Sequence, residues 1–216
     1  MRSFDCGPAG VVLDRLFAAA DAGDPGLLTT LPRTGLAAAE KAAVYKDVYM
    51  PVSREVGRFL YMLARAQRSR TIVEFGASFG ISTIHLAAAI RDNGSGRVIT
   101  TELNPDKARR ARENLAEAGL VDLVEVREGD ALQTLKDIDT EVDLMLLDGW
   151  KDLYLPVLRL VESRLTMGAI VIADDMDLFP EATKPYLEYV RDPSSGYTSV
   201  LVNMGDGLEL SVRSET

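Results

Sequence analysis

Three aspartates and one lysine have the types and spacing most suited to chemistry. Asp148 closes the apolar run 142–148, and the segment Leu147-Asp-Gly-Trp-Lys-Asp152 adds Trp150 and Lys151; Asp174 and Asp175 follow the run 169–173. Two strand ends lying side by side would bring these carboxylates together, and hard divalent cations such as Mg²⁺, Mn²⁺ or Ca²⁺ choose oxygen ligands of this kind. A single aspartate at a strand end is commonly a helix cap or a solvated side chain. Three of them beside Lys151 point instead to a cation and a base. A free lysine titrates at about 10.4, so the base role needs a nearby cation and partial desolvation to lower it.

A second constellation is Glu74-Phe-Gly-Ala-Ser-Phe-Gly80. Gly76 and Gly80 let the chain turn tightly into a helix and bring its backbone close to a ligand, and free N–H groups at the helix start favour an anion. Three functions compete for this turn. Gly76-Ala-Ser-Phe-Gly80 spells the G-x-S-x-G nucleophile elbow, which needs an acid and then a histidine downstream. The one histidine, His85, lies on the helix that follows Ser78, where it reads as a half-buried packing residue on a stripe with Ile81, Ile84 and Ala88. A dinucleotide fingerprint wants glycine where Ser78 stands. S-adenosylmethionine carries a carboxylate and an ammonium at one end and a phosphate-free adenosine at the other, so it calls for acids as well as N–H donors. Glu74 suits the ammonium or the order of the turn, and Ser82 suits the carboxylate. Glu102 suits a bidentate bond to the ribose diol, and Gly129-Asp130-Ala131 the adenine. This methyl-donor reading uses three successive strand ends; an NAD-dependent oxidoreductase is its rival.

The elements that must position these residues follow from periodicity. Short β-rich runs at 71–75, 97–102, 123–127, 142–148 and 169–173 alternate with helical stretches near 80–91, 105–118 and 151–165, which implies βαβ crossovers and a mainly parallel sheet covered on both faces. A helix near 180–191 precedes the runs 197–202 and 208–212, which flank the turn Asn203-Met-Gly-Asp-Gly207 and read as a closing antiparallel hairpin. Residues 1–67 form an Ala-rich helical extension, with helices around 11–22, 35–49 and 54–67 broken at Gly23, Pro25, Gly26, Pro32 and Pro51. We expect one domain over 1–216, the extension followed by a Rossmann-like core over 68–216. The balance of 24 basic against 33 acidic residues, net −9, argues against nucleic acid. Cys6, the one cysteine, excludes an internal disulfide and a CxxC metal knuckle and reads as a free thiol near the terminus. The lack of a secretory signal or an apolar span predicts a cytoplasmic protein without a membrane anchor.

The run Val142-Asp-Leu-Met-Leu-Leu-Asp-Gly-Trp-Lys-Asp-Leu-Tyr-Leu-Pro156, followed by Ala169-Ile-Val-Ile-Ala-Asp-Asp-Met176, strongly resembles the cation-dependent small-molecule O-methyltransferases typified by the catechol and caffeoyl-CoA enzymes. The similarity covers about 46–176 and continues more loosely to 212. Tyr49-Met-Pro-Val-Ser-Arg-Glu55 looks like the segment that closes over the donor in that family. The resemblance implies a class I methyltransferase fold with a seven-stranded sheet, S-adenosylmethionine and a divalent cation as cofactors, a small phenolic acceptor, and a homodimer. It makes Asp148 and Asp174 metal ligands and puts Asp175 at a third position, with Lys151 as general base and Trp150 as a wall of the site. Glu74, Ser82, Glu102 and Leu103 become donor-binding residues, and Gly76, Ser78, Gly80, Gly129, Asp130 and Ala131 shape that pocket. Met50 and Val52 line the cleft between donor and acceptor, and Asp148 also approaches the donor.

Two departures from the family stand out. Its third metal position is usually Asn; with Asp175, three ionised carboxylates around a divalent ion sum to −1 rather than zero, which weakens the ion's pull on a substrate hydroxyl, keeps one carboxylate protonated or changes the preferred metal. The glutamate that holds a substrate hydroxyl in the catechol enzymes falls at Val200 or a neighbour. The expected reaction is in-line transfer of the sulfonium methyl to a phenolic oxygen. Against it stand a methyltransferase acting on protein or nucleic acid, and a donor-binding scaffold that has lost its chemistry.

Overall fold

A computed structural model describes residues 7–31 and 36–214. Cys6 and Pro32 lie outside the described residues. Seven strands form one sheet: β1 (Thr71–Phe75), β2 (Arg97–Glu102), β3 (Val124–Glu128), β4 (Val142–Leu147), β5 (Leu165–Ala173), β6 (Tyr197–Val202) and β7 (Leu208–Arg213), in the order β3-β2-β1-β4-β5-β7-β6. The pairs among β1 to β5 are parallel, and β7 runs antiparallel to both β5 and β6.

The central strands are continuous apolar runs because both sheet faces are covered. Side chains alternate between two cores, as the two-residue strand period requires. Ile72, Leu144, Leu146 and Ile172 face one side and pack on α1 (Pro8–Leu28), α3 (Arg54–Ala66) and α4 (Ile81–Asn93). Val73, Phe75, Met145, Leu147 and Val171 face the other, against α7 (Tyr154–Val161) and α8 (Pro180–Val190). The remaining helices are α2 (Ala38–Val44), α5 (Pro105–Glu117) and α6 (Ala131–Thr134).

The order reverses between β1 and β4, so the crevice for ligands opens at their carboxyl ends. Register decides which residues meet there. Phe75 pairs with Leu147 and Leu147 with Ala173. The N–H of Asp148 donates to the Phe75 carbonyl at 2.9 Å, and that of Asp174 to the Leu147 carbonyl at 3.0 Å.

The described N-terminal residues differ from expectation twice: the helix expected around 35–49 is shortened to Ala38–Val44, and the first helix does not break where expected. Instead of stopping at Gly23, Pro25 and Gly26, α1 continues through them to Leu28. A proline inside a helix costs roughly 3 kcal/mol. Here the turn that carries it is fixed from outside, because the buried Asp24 carboxylate accepts the N–H groups of Tyr49 and Met50. Elsewhere the helix expected over 151–165 is shortened to α7 with a 3-10 turn on either side, and β5 begins earlier, at Leu165. No helix among the described residues is long and apolar enough to cross a membrane.

Candidate active site

The glycine turn between β1 and α4, the expected donor loop, is shaped by two left-handed glycines and a left-handed serine. Gly76 has φ +105°, Ser78 +46° and Gly80 +89°. A Cβ on Gly76 would lie 2.6 Å from the carbonyl oxygen of Asp148. The glycine is therefore demanded by the approach of two strand ends, where a ligand was the expected reason. Gly80 starts α4 without a side-chain cap, so no side chain of the cap residue competes for the amides of that first turn. Glu102 orders the loop: its Oε2 accepts the Ser78 N–H and its Oε1 the Asn104 N–H, each at 2.8 Å. Each of those oxygens keeps a second lone pair for a diol. Burial raises the pKa of Glu102, while the Asn104 N–H and the Lys107 ammonium hold it down.

Glu74 is buried beneath this loop, and its Oε2 accepts the hydroxyls of Thr83 and Thr100, both at 2.5 Å. Its Oε1 has no hydrogen-bond partner among the described residues. Burial raises its pKa against the nearby hydroxyls of Ser82, Thr100 and Thr83. An orphaned acceptor of this kind suits an ammonium group. Met50 is partly exposed and left-handed at φ +44°, whereas Val52 and Ser82 are buried. Leu103 is half-buried beside Glu102, and Gly129 donates its N–H to the Glu102 carbonyl at 2.9 Å. Asp130 caps α6 by accepting the Leu132 N–H, with the buried Ala131 next to it.

At the ends of β4 and β5 the acids gather around one cation, the ammonium of Lys151. Its Nζ lies 2.7 Å from Asp175 Oδ2 and 3.5 Å from Asp148 Oδ1, and it donates to the Tyr154 hydroxyl at 2.7 Å. The Tyr154 hydroxyl in turn donates to the Asp174 carbonyl at 3.1 Å. Burial acts to lower the pKa of Lys151, but Tyr154, Asp148 and Asp175 outweigh it and hold the ammonium well above its usual value. Burial pushes Asp148 far up; Lys151 opposes this, and Asp174, Asp175 and Glu74 add to it. Asp174 rises to about 6 through burial and Asp175. Asp175 is left-handed at φ +62°, a region that Asn and Asp enter more readily than other side chains. Trp150 meets Tyr45 edge-on at 6.0 Å and lies under the Lys41 ammonium.

Similarity to known proteins agrees with this architecture. A family model described as a methyltransferase domain matches residues 73–176. Catechol O-methyltransferase of Bos taurus is 34% identical over 192 residues, covering 82% of this chain and 69% of that protein. The Sus scrofa enzyme of the same name is 35% identical over 181 residues, with 77% and 95% covered. The chain belongs to the class I O-methyltransferase family. The O-methyltransferase TomG from Streptomyces achromogenes, solved in complex with SAM, is 26% identical with a TM-score of 0.71, covering 93% of this chain and 99% of that one. The present protein is thus an S-adenosylmethionine-dependent O-methyltransferase.

Among the described residues of this methyltransferase, no three His, Cys, Asp or Glu side chains are grouped as a ready metal cage. Asp148 and Asp175 share Lys151 instead, and Asp174 Oδ1 accepts the Asp175 N–H at 2.9 Å. The chemistry of these side chains nonetheless fits a hard cation: burial and, after it, the neighbouring carboxylates raise the pKa of Asp148 and Asp174, and a bound cation would offset both. The sequence did not point to several of the residues that build the methyltransferase's site. Tyr154 lies within the family-like run, yet its part in holding Lys151 depends on the β5 end. Thr83 and Thr100 gave no signal, being ordinary helix and strand residues. Lys107 is buried with its Nζ 3.3 Å from Ser78 Oγ, a placement that only packing creates. His85 is fully buried, deeper than expected; its Nδ1 bonds the Ile81 carbonyl at 2.9 Å and its ring fills the space left by Gly57.

Proposed function

We propose that this methyltransferase is divalent-cation-dependent and transfers the methyl group to a phenolic, catechol-like hydroxyl of a small molecule. The observation that carries the proposal is the pairing of Asp148 and Asp175 with Lys151, with Asp174 next to Asp175, at the adjoining ends of β4 and β5. The names of the Bos taurus and Sus scrofa relatives support the acceptor class, and the net charge of −9 speaks for a small acceptor over nucleic acid. Asp148, Asp174 and Asp175 would hold the cation, which when bound supplies the positive charge that loosens a phenolic proton.

The chain's own residues do the rest. The free Oε1 of Glu74 receives the donor's ammonium, and Glu102 receives the ribose hydroxyls. Met50, Val52 and Trp150 exclude water between donor and acceptor, which sets the oxygen behind the methyl carbon. Lys151 takes the proton. Tyr154, Asp148 and Asp175 together raise its pKa against burial; with the two carboxylates engaged by a cation, two of those three supports are withdrawn and the lowering by burial gains weight. Val200, half exposed where the catechol enzymes carry a glutamate, leaves one acceptor hydroxyl without that partner. We also propose one domain, and a homodimer with the N-terminal helices near the acceptor.

Treatment with a chelator, followed by assay of methyl transfer to a catechol and a caffeoyl substrate, tests the proposal. Activity should vanish and return on adding Mg²⁺; undiminished turnover without a cation would overturn the metal dependence. Lys151→Ala should cut kcat by about 10²–10⁴-fold while leaving S-adenosylmethionine affinity near that of the parent. Equal losses in both would assign Lys151 to positioning.

A further inference from the structure

The segment between α2 and α3 lies over the donor loop, and it is held there by groups outside the sheet. The Tyr49 carbonyl accepts the Ser78 hydroxyl at 2.8 Å, and the Tyr49 ring stacks on Phe79 with centroids 4.1 Å apart. In α2, just before the segment, the Ala42 carbonyl accepts a side-chain N–H of Asn104, the cap of α5 beside Glu102, at 2.8 Å. These contacts reach the donor loop, but they do not explain why the backbone bends as it does at Met50. A side chain at φ +44° is disfavoured, and such a conformation persists only where its surroundings impose it.

The group that imposes it is Asp24. Its Oδ1 accepts the Tyr49 N–H at 2.8 Å and its Oδ2 the Met50 N–H at 2.7 Å, and the side chain is buried. These are charge-assisted bonds to two successive amides, the geometry a carboxylate satisfies best. Buried Lys107 lies near these acids: burial lowers its pKa, while Glu102, Asp24 and Asp47 act to raise it. Its Nζ lies 3.3 Å from the Ser78 hydroxyl, the same hydroxyl that donates to the Tyr49 carbonyl.

We infer that Asp24, on the N-terminal helix, is a positioning residue for S-adenosylmethionine: it fixes residues 49–50 closed over the donor loop. The inference rests on Met50 and Val52 lining the donor cleft, as proposed above. It gives α1 a part in the reaction beyond packing. Asparagine at this position keeps the shape but offers one acceptor oxygen for two N–H groups and turns an N–H toward the second. Alanine removes both bonds.

The test uses the full chain and its Asp24→Asn and Asp24→Ala variants, with calorimetric titration of S-adenosylmethionine and S-adenosylhomocysteine, steady-state kinetics and amide hydrogen exchange. The donor Kd and KM should rise about tenfold or more in Asp24→Ala and less in Asp24→Asn, with kcat within about twofold of the parent. Exchange at residues 49 and 50 should quicken in the free variants and slow again at saturating donor. A purely structural role would lower the melting temperature and leave the donor affinity of the folded fraction unchanged. Folded variants that bind the donor within twofold of the parent overturn the anchor alone, and Asp24→Asn decides by the same criterion if Asp24→Ala does not fold. A parent protein that binds no S-adenosylmethionine overturns the donor cleft and the anchor together.

Discussion

Ionisation of Asp174 works against the fold that holds it. Burial and the neighbouring Asp175 raise its pKa to about 6, while the Asp175 N–H and the Lys151 ammonium pull it back. An unfolded aspartate titrates near 3.9. The folded chain therefore binds the extra proton between about pH 4 and pH 6; that stabilisation is complete below the unfolded value and is lost as pH rises through the folded one. Asp174→Asn removes the ionisation while keeping an acceptor for the Asp175 N–H. In thermal melts without divalent cation, the variant should melt above the parent at pH 8, and the difference should vanish by pH 4. An equal difference at both values would mean that the charge of Asp174 is not the cause. The types of these side chains pointed to cation chemistry from the sequence. Their present partners did not, because the ion pairs of Lys151 depend on two strand ends meeting in space.

Helices α3 and α4 cross where Gly57 faces His85. A Cβ on Gly57 would stand 2.5 Å from Cε1 of the imidazole, so the ring occupies the volume that any other residue at 57 would need. Phe17 of α1 closes the ring in edge-on at 6.4 Å. Gly57→Ala should cost about 1–3 kcal/mol, the usual range for overpacking a core, read as a lower denaturation midpoint. Gly57→Ala with His85→Ala should recover much of that loss, since the second change empties the contested space. His85→Ala alone should leave kcat near that of the parent; a large fall would give the imidazole a catalytic part. At this scale the packing role of His85 was legible from its apolar helical neighbours Ile81, Ile84 and Ala88, although α4 is buried on every side from Ile81 to Ile90 rather than along one stripe. The glycine that admits the ring was not, because the two residues belong to different helices.

Across the molecule, the closing hairpin ties the far edge of the sheet to the site. Glu209 of β7 pairs with Ala173, the residue before Asp174, and its buried carboxylate accepts two bonds from Arg191 and one from the Ser199 hydroxyl at 2.6 Å. Arg191→Ala would leave that charge buried without its cation. Breaking a buried pair costs roughly 3–5 kcal/mol, and the half-exposed Arg191 places this one toward the lower end. The variant should lose stability by about that amount in urea unfolding, and Arg191→Lys should retain part of it; no change in either would show that solvent or Ser199 suffices for Glu209. The alternation of strand and helix, the acids at the strand ends and the glycine turn were all determined by the sequence alone, because periodicity, turn chemistry and ligand type are properties of short segments. Tertiary structure decided that Gly76 is required by the Asp148 backbone, that Lys151 is an ammonium shared by two carboxylates, and that Asp24 reaches the backbone of Tyr49 and Met50. Each of those facts is a distance or a field between residues far apart in the chain, set by strand register and helix packing.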